Sequence, residues 1–170
     1  MCNAAASWRG VKDVSGGMGA RRGRRVLGLW SGLLGMLTFL IHPMLAAMDG
    51  RDFENFMPAF LRVGRKSWFN YVCALGMAVA PIVALVFLWD DRGSTSFVLT
   101  AIGLAFVVFG VYVVSNVWKE PHYDVMLSWD AEAMPANWEA GRRRYFTLNW
   151  IQATATWTAF GLFLGALVSL

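Results

Sequence analysis

The sequence predicts an all-α integral membrane protein: an up-down-up-down four-helix bundle, with a short amphipathic helix lying in the interface between spans one and two. Three observations predict it. The chain is 57% hydrophobic and 15% charged, against about 25% charged residues in an ordinary soluble domain. Four stretches, near residues 27–48, 68–89, 97–118 and 147–170, lack Asp, Glu, Lys and Arg, and each reaches the ~20 residues that cross ~30 Å of hydrocarbon. Tryptophans mark their ends: Trp68 and Trp89 bracket the second stretch and Trp118 closes the third, in the manner of interfacial aromatic belts. A length of 170 residues fits one domain.

The elements follow in order. Residues 1–26 are rich in Gly, Ala, Ser and Arg and carry Arg9, Lys12, Arg21, Arg22, Arg24 and Arg25. They read as a disordered cytoplasmic tail facing anionic lipid rather than nucleic acid. The apolar run that follows is too long for a usual signal-peptide core, so the tail is expected to stay. In the segment after span one, Phe53, Phe56, Met57, Phe60 and Leu61 recur at helical spacing among charges, which predicts the amphipathic interfacial helix. Spans two and three are joined by the polar turn "DDRGSTS", and spans three and four by a longer connector over about residues 119–146. Four spans put both termini on one side. Lys and Arg are almost evenly divided between the two sides, so a cytoplasmic N-terminus rests on the basic tail before the first span.

Polar side chains inside apolar spans carry the functional information, because they are costly there. His42 ends span one, Asn70 begins span two, Asn116 ends span three, and Asn149 and Gln152 begin span four. Up-down connectivity gathers all five in one leaflet. Trp138, Arg142, Tyr145, Asn149, Gln152 and Thr156 are spaced 4, 3, 4, 3, 4, one continuous helical face. Arg142 therefore points inward, and Arg143 and Arg144 fall off the stripe. The stripe has two readings: a pocket, or hydrogen bonds that hold helices together. His42 precedes Pro43, which frees a carbonyl four residues back, so its ring has a local backbone role as an alternative to a chemical one. Two histidines and two well-separated cysteines form no metal-ligand or disulfide pattern. Gly32, Gly35, Gly161 and Gly165 read as close-packing positions.

The connector and fourth span carry a P-x-x-D-x-x-x-x-W pattern, then W-x-x-x-R-x-R, then an Asn at the membrane entry. On Pro121, Asp124, Trp129, Trp138, Arg142, Arg144 and Asn149, with Phe39, Pro43 and Leu45 in span one, the chain from about residue 27 to 170 resembles the DUF1772, or anthrone oxygenase-like, family of small four-span membrane proteins. It departs from the family pattern at Lys119 and Tyr123, where Asn is frequent, at Tyr145, where Trp is common, and at Gln152, where Arg is found.

The resemblance implies cofactor-independent oxygenation of an anthrone-like polycyclic phenol. His42, Arg142 and Asn149 are then the candidate catalytic residues, as base, anion stabiliser and hydrogen-bond donor. Asn116, Trp129, Trp138, Tyr145 and Gln152 are the candidate substrate contacts. No metal or other cofactor is expected. The expected partners are the lipid bilayer and an aromatic small molecule, at a multi-pass cell-membrane location with cytoplasmic termini. The competing expectation is a non-catalytic scaffold, lipid-binding or accessory protein in which the stripe holds helices together.

Overall fold

The computed structural model describes residues 28–170; the expected basic tail lies outside the described residues. Those residues form helices and no strand. They are α1 (Gly28–Ala47), α2 (Gly50–Lys66), α3 (Trp68–Phe87), α4 (Thr95–Leu127) and α5 (Trp138–Val168), with a 3-10 turn at Trp89–Asp91. All but α2 are long and apolar enough to cross a membrane, consistent with an integral membrane protein.

Local chemistry sets the boundaries. The Asp49 carboxylate accepts from the Asp52 amide at 2.8 Å and caps α2, and the Ser94 hydroxyl caps α4 through the Phe97 amide at 3.2 Å. Arg65 and Lys66 fill the last turn of α2, where the helix dipole favours cations. Extended Ser67 then breaks the chain, and the Asn70 amide donates to the Gly64 carbonyl at 2.8 Å across the break.

The last two long helices exceed the expected spans. α4 runs past Trp118 to Leu127, and α5 starts at Trp138 rather than near residue 147. The connector shrinks to residues 128–137, and Lys119 moves from the connector into a helix.

Both interruptions of α-helical bonding end next to a proline. Leu37–Ile41 in α1 and Val108–Lys119 in α4 are π-helical. In each, the final wide turn is closed by the residue just before a proline: the His42 amide bonds the Leu37 carbonyl, and the Glu120 amide bonds the Ser115 carbonyl. Pro43 and Pro121 have no N–H, and their rings would press on the carbonyl four residues back. A five-residue turn makes room for the ring while keeping the neighbouring backbone groups paired.

α5 packs most closely on α4. A Cβ at Gly110 would stand 2.5 Å from the Ala155 Cβ, and one at Gly103 would stand 2.5 Å from the Phe163 ring. Gly32, Gly35 and Gly161 meet nothing within 4 Å, so the expected close packing is not at those positions. Contact with Leu99 at 3.3 Å keeps Gly165 in the tight set. Side chains tie neighbouring helices through backbone carbonyls. Tyr112 donates to Ala74 at 2.8 Å, Ser96 to Ala166 at 2.7 Å, and the Trp157 indole to Ser31 at 3.2 Å.

Two apolar clusters fill the interior. One joins Trp30, Leu34, Met77, Val107, Val111 and Ala153. The other joins Leu45, Phe53, Met57, Leu61, Met126 and Tyr145. The expected amphipathic helix is therefore present as α2, but its apolar face is covered by α1, α4 and α5. Arg65 fastens it there, paired with Glu120 and, at 3.1 Å, with Asp124.

Candidate functional site

The stripe on α5 points inward along its whole length. Trp138 and Arg142 are half-buried, and Tyr145, Asn149, Gln152 and Thr156 are buried. Arg143 and Arg144 are exposed. Inward direction does not gather these residues into one open recess. Each predicted residue has its own environment.

Arg142 serves the end of α1. Its Nη1 donates to the Leu45 carbonyl at 3.2 Å and the Met48 carbonyl at 2.8 Å, two of the carbonyls that a helix C-terminus leaves unpaired. The guanidinium lies over Trp138, 4.6 Å from the ring centroid, and 5.8 Å from that of Phe53. Trp138 and Trp129 flank Phe53, with centroid distances of 6.1 and 6.5 Å. Trp129 lies on Gly141, where a Cβ would approach the indole to 2.6 Å. The His122 Nε2–H donates to the Gly141 carbonyl at 2.8 Å, another contact between α4 and α5. Asn116 is exposed and donates to the Tyr112 carbonyl of its own helix at 2.7 Å, outside the cluster.

Gln152 meets an unexpected partner. Lys119 is 7% exposed. Its Nζ donates to the Gln152 Oε1 at 2.5 Å, while the Gln152 Nε2 donates to the Ser115 hydroxyl at 3.1 Å. The wide turn explains the position of Lys119. Val107, Val111 and Val114 face inward at α-helical intervals, and the next buried position is five residues on, at Lys119, while Trp118 stays 38% exposed. A regular α-helix would have brought position 118 inward instead.

Among the described buried polar side chains without hydrogen-bond partners, two are predicted site residues. Both ring nitrogens of His42 are unpaired, as are both amide atoms of Asn149. The His42 ring therefore does not serve the carbonyl freed by Pro43. It lies tilted against Phe146, with centroids 4.6 Å apart, and meets Tyr145 at 5.8 Å. Tyr145 lies beside Asn149 without reaching hydrogen-bond geometry. Unpaired buried polar groups are uncommon and mark places where a ligand or water completes the set.

His42 also opens on the surface. An open groove of about 390 Å³ runs between α1 and α5, lined by Thr38, Phe39, His42, Pro43, Ala46, Phe146 and Trp150. Its walls are aromatic: Phe39 meets Trp150 edge-on at 5.6 Å and stacks parallel to Trp157 at 5.8 Å. The Thr38 hydroxyl, on the same wall, has no hydrogen-bond partner. Of the predicted site residues, only His42 lines this groove. Sequence reasoning missed Thr38, Phe146, Trp150 and Lys119. Thr38 lies one helical turn before His42, Phe146 directly follows Tyr145, Trp150 lies one turn beyond Phe146, and Lys119 needed the wide turn to be known.

No three His, Cys, Asp or Glu side chains among the described residues converge in a way that would hold a metal ion. No family model matches the sequence, and comparison with curated proteins and with solved structures gave no similar chain.

Proposed function

We propose that this chain is a multi-pass integral membrane protein whose α1–α5 groove binds a flat, membrane-dissolved aromatic molecule, with His42 as its polar contact. The observation that carries the reading is the pairing of an aromatic-walled groove with an imidazole that has no other hydrogen-bond partner. Small-molecule sites have this composition: mostly apolar walls and one or two placed polar groups. The proposal includes an up-down-up-down arrangement of α1, α3, α4 and α5, cytoplasmic termini, and a basic tail on anionic lipid.

The resemblance to the DUF1772 family extends the reading to a reaction. An anthrone-type substrate gives up a proton to neutral His42 and becomes an electron-rich enolate. The enolate passes an electron to O₂, and the radical pair joins as a carbon-bound peroxide. Return of the proton and cleavage of the O–O and remaining C–H bonds release water. One oxygen atom stays as the new quinone carbonyl and the other leaves in the water. In this scheme Arg142 holds the end of α1, and with it His42, while Tyr145 packs behind the imidazole.

A second reading has a specific observation in its favour. Arg142, Gln152 and Asn116 are each engaged in contacts within the protein, as in a non-catalytic scaffold or accessory protein. Oxygen uptake by the purified chain with an anthrone separates the two. Turnover that His42→Leu abolishes supports the oxygenase. Saturable binding of the anthrone without oxygen uptake leaves a binding protein, and no binding to the folded chain removes the groove reading.

A further inference from the structure

The interior holds a buried amine, that of Lys119. Among the described residues no carboxylate comes within ion-pair distance of its Nζ. The adjacent Glu120 and the nearby Asp124 both pair with Arg65 on α2. The Lys119 Nζ contacts neutral groups: the Gln152 carbonyl oxygen at 2.5 Å and the face of Tyr123 with its centroid 5.7 Å away. Neutral acceptors offset only part of the cost of an ion in a low-dielectric interior, and a nearby anion would offset more.

The rings beside Lys119 lead toward the groove. From Lys119 the rings of Tyr123, Tyr145 and His42 follow one another, with centroids 6.0 Å apart for the two tyrosines and 5.8 Å for Tyr145 and His42. Lys119 is within electrostatic reach of His42. His42 is the floor of the groove, and its ring nitrogens are unpaired. A positive charge on Lys119 therefore lies behind His42, which with Thr38 forms the polar part of the groove, and low-dielectric packing screens it little.

We propose that Lys119 is a specificity-determining residue that makes the groove select the ionised form of an acidic aromatic: a phenol or enol whose oxygen meets His42 while its flat body lies against Phe39, Phe146 and Trp150. Lys119 does not touch the ligand. It acts as a positioning charge, lowering the pKa of the bound hydroxyl. The inference rests on the groove reading above and is separable from it.

The test uses the full chain in nanodiscs of zwitterionic lipid, with 1-hydroxypyrene and its methyl ether as probes and empty nanodiscs as the baseline. Phenol and phenolate differ in absorbance, so titration reads the pKa of the bound hydroxyl directly. Wild type is expected to lower it by about one unit relative to lipid alone, a tenfold preference for the anion. Lys119→Met, close in shape, is expected to abolish that shift while binding the methyl ether as wild type does. Lys119→Arg is expected to restore the shift in part. A shift of wild-type size in Lys119→Met, with ether binding intact, overturns the role of Lys119 and leaves the groove standing. Saturable binding of neither probe by the wild type, or binding indifferent to Trp150→Ala, overturns the groove and this assignment together.

Discussion

Arg142 and Asn149 share a helical stripe, yet they predict opposite outcomes when replaced. Arg142 satisfies two carbonyls at the end of α1, and hydrogen bonds from a charged group contribute about 1.5–3 kcal/mol. Arg142→Ala should therefore lower unfolding stability in mixed micelles by about that amount, and stability equal to wild type would refute the capping role. Asn149 buries two unpaired amide atoms, so exchange for an apolar residue of similar shape removes a desolvation cost. Asn149→Leu should be as stable as wild type or more so, and a clear loss in the same unfolding assay would mean that Asn149 has a partner. The stripe itself was legible in the sequence, since 3.6-residue periodicity fixes which side chains point inward. What each one meets was not legible, because periodicity carries no information about the facing helix. Hence Arg142 was expected at an anion and is found at a helix end.

At the scale of elements, α2 shows how a single carboxyl links packing to pH. Glu54 is buried on its inner side and its Oε2 has no hydrogen-bond partner. Burial, and secondarily the charge of Asp130, pushes its carboxyl above the ordinary carboxylate range. Between the unfolded and the raised folded value, the folded protein holds the extra proton. The stabilising contribution is thus complete below the unfolded value and is lost as pH rises through the folded one. Unfolding measured across that window should show stability falling as pH rises, with the slope flattened in Glu54→Gln; identical slopes in the two proteins would exclude Glu54 as the cause. Close approach of α4 and α5 makes a second prediction. At Gly110 a new methyl would meet the Ala155 Cβ, which moves only with the backbone of α5. Gly110→Ala should cost about 1–3 kcal/mol, the usual range for overpacking, whereas Gly35→Ala, in open space, should be tolerated in the same unfolding experiment. The glycines were visible in the sequence, but which of them face a helix was not.

For the whole molecule, apolar composition and four uncharged stretches were enough to expect four long helices, because the length of a hydrocarbon crossing sets so strong a requirement. The ends of the last two helices were misjudged for a definable reason. Charge was taken as the mark of a connector, yet α4 carries Lys119 and Glu120 and α5 carries Arg142, each with a partner inside the fold. Polar content marks the limit of a helix only when no neighbouring element satisfies it. The outer surface is apolar over most of its long helices, with Phe39, Leu40, Trp68, Leu75, Val86 and Val117 among the exposed side chains. A surface of this kind exceeds what a soluble monomer leaves in water. The chain should therefore remain in the membrane fraction after an alkaline carbonate wash and enter solution only with detergent; release by carbonate alone would contradict the membrane assignment.

The inward step from Val114 to Lys119 in α4 is five residues, one more than an α-helical turn would use, inside the wide-turned segment Val108–Lys119. Removing a single outward residue there, such as Val117, would leave Lys119 four positions beyond Val114, a spacing that an α-helical turn also aims at the interior. The same deletion within the regular turns of α5 would swing everything downstream by about 100°. Length variation in this protein should accordingly be absorbed just ahead of Pro121, at some strain from the proline ring, and rejected in α5, a contrast that a scan of one-residue deletions scored by folded yield would reveal.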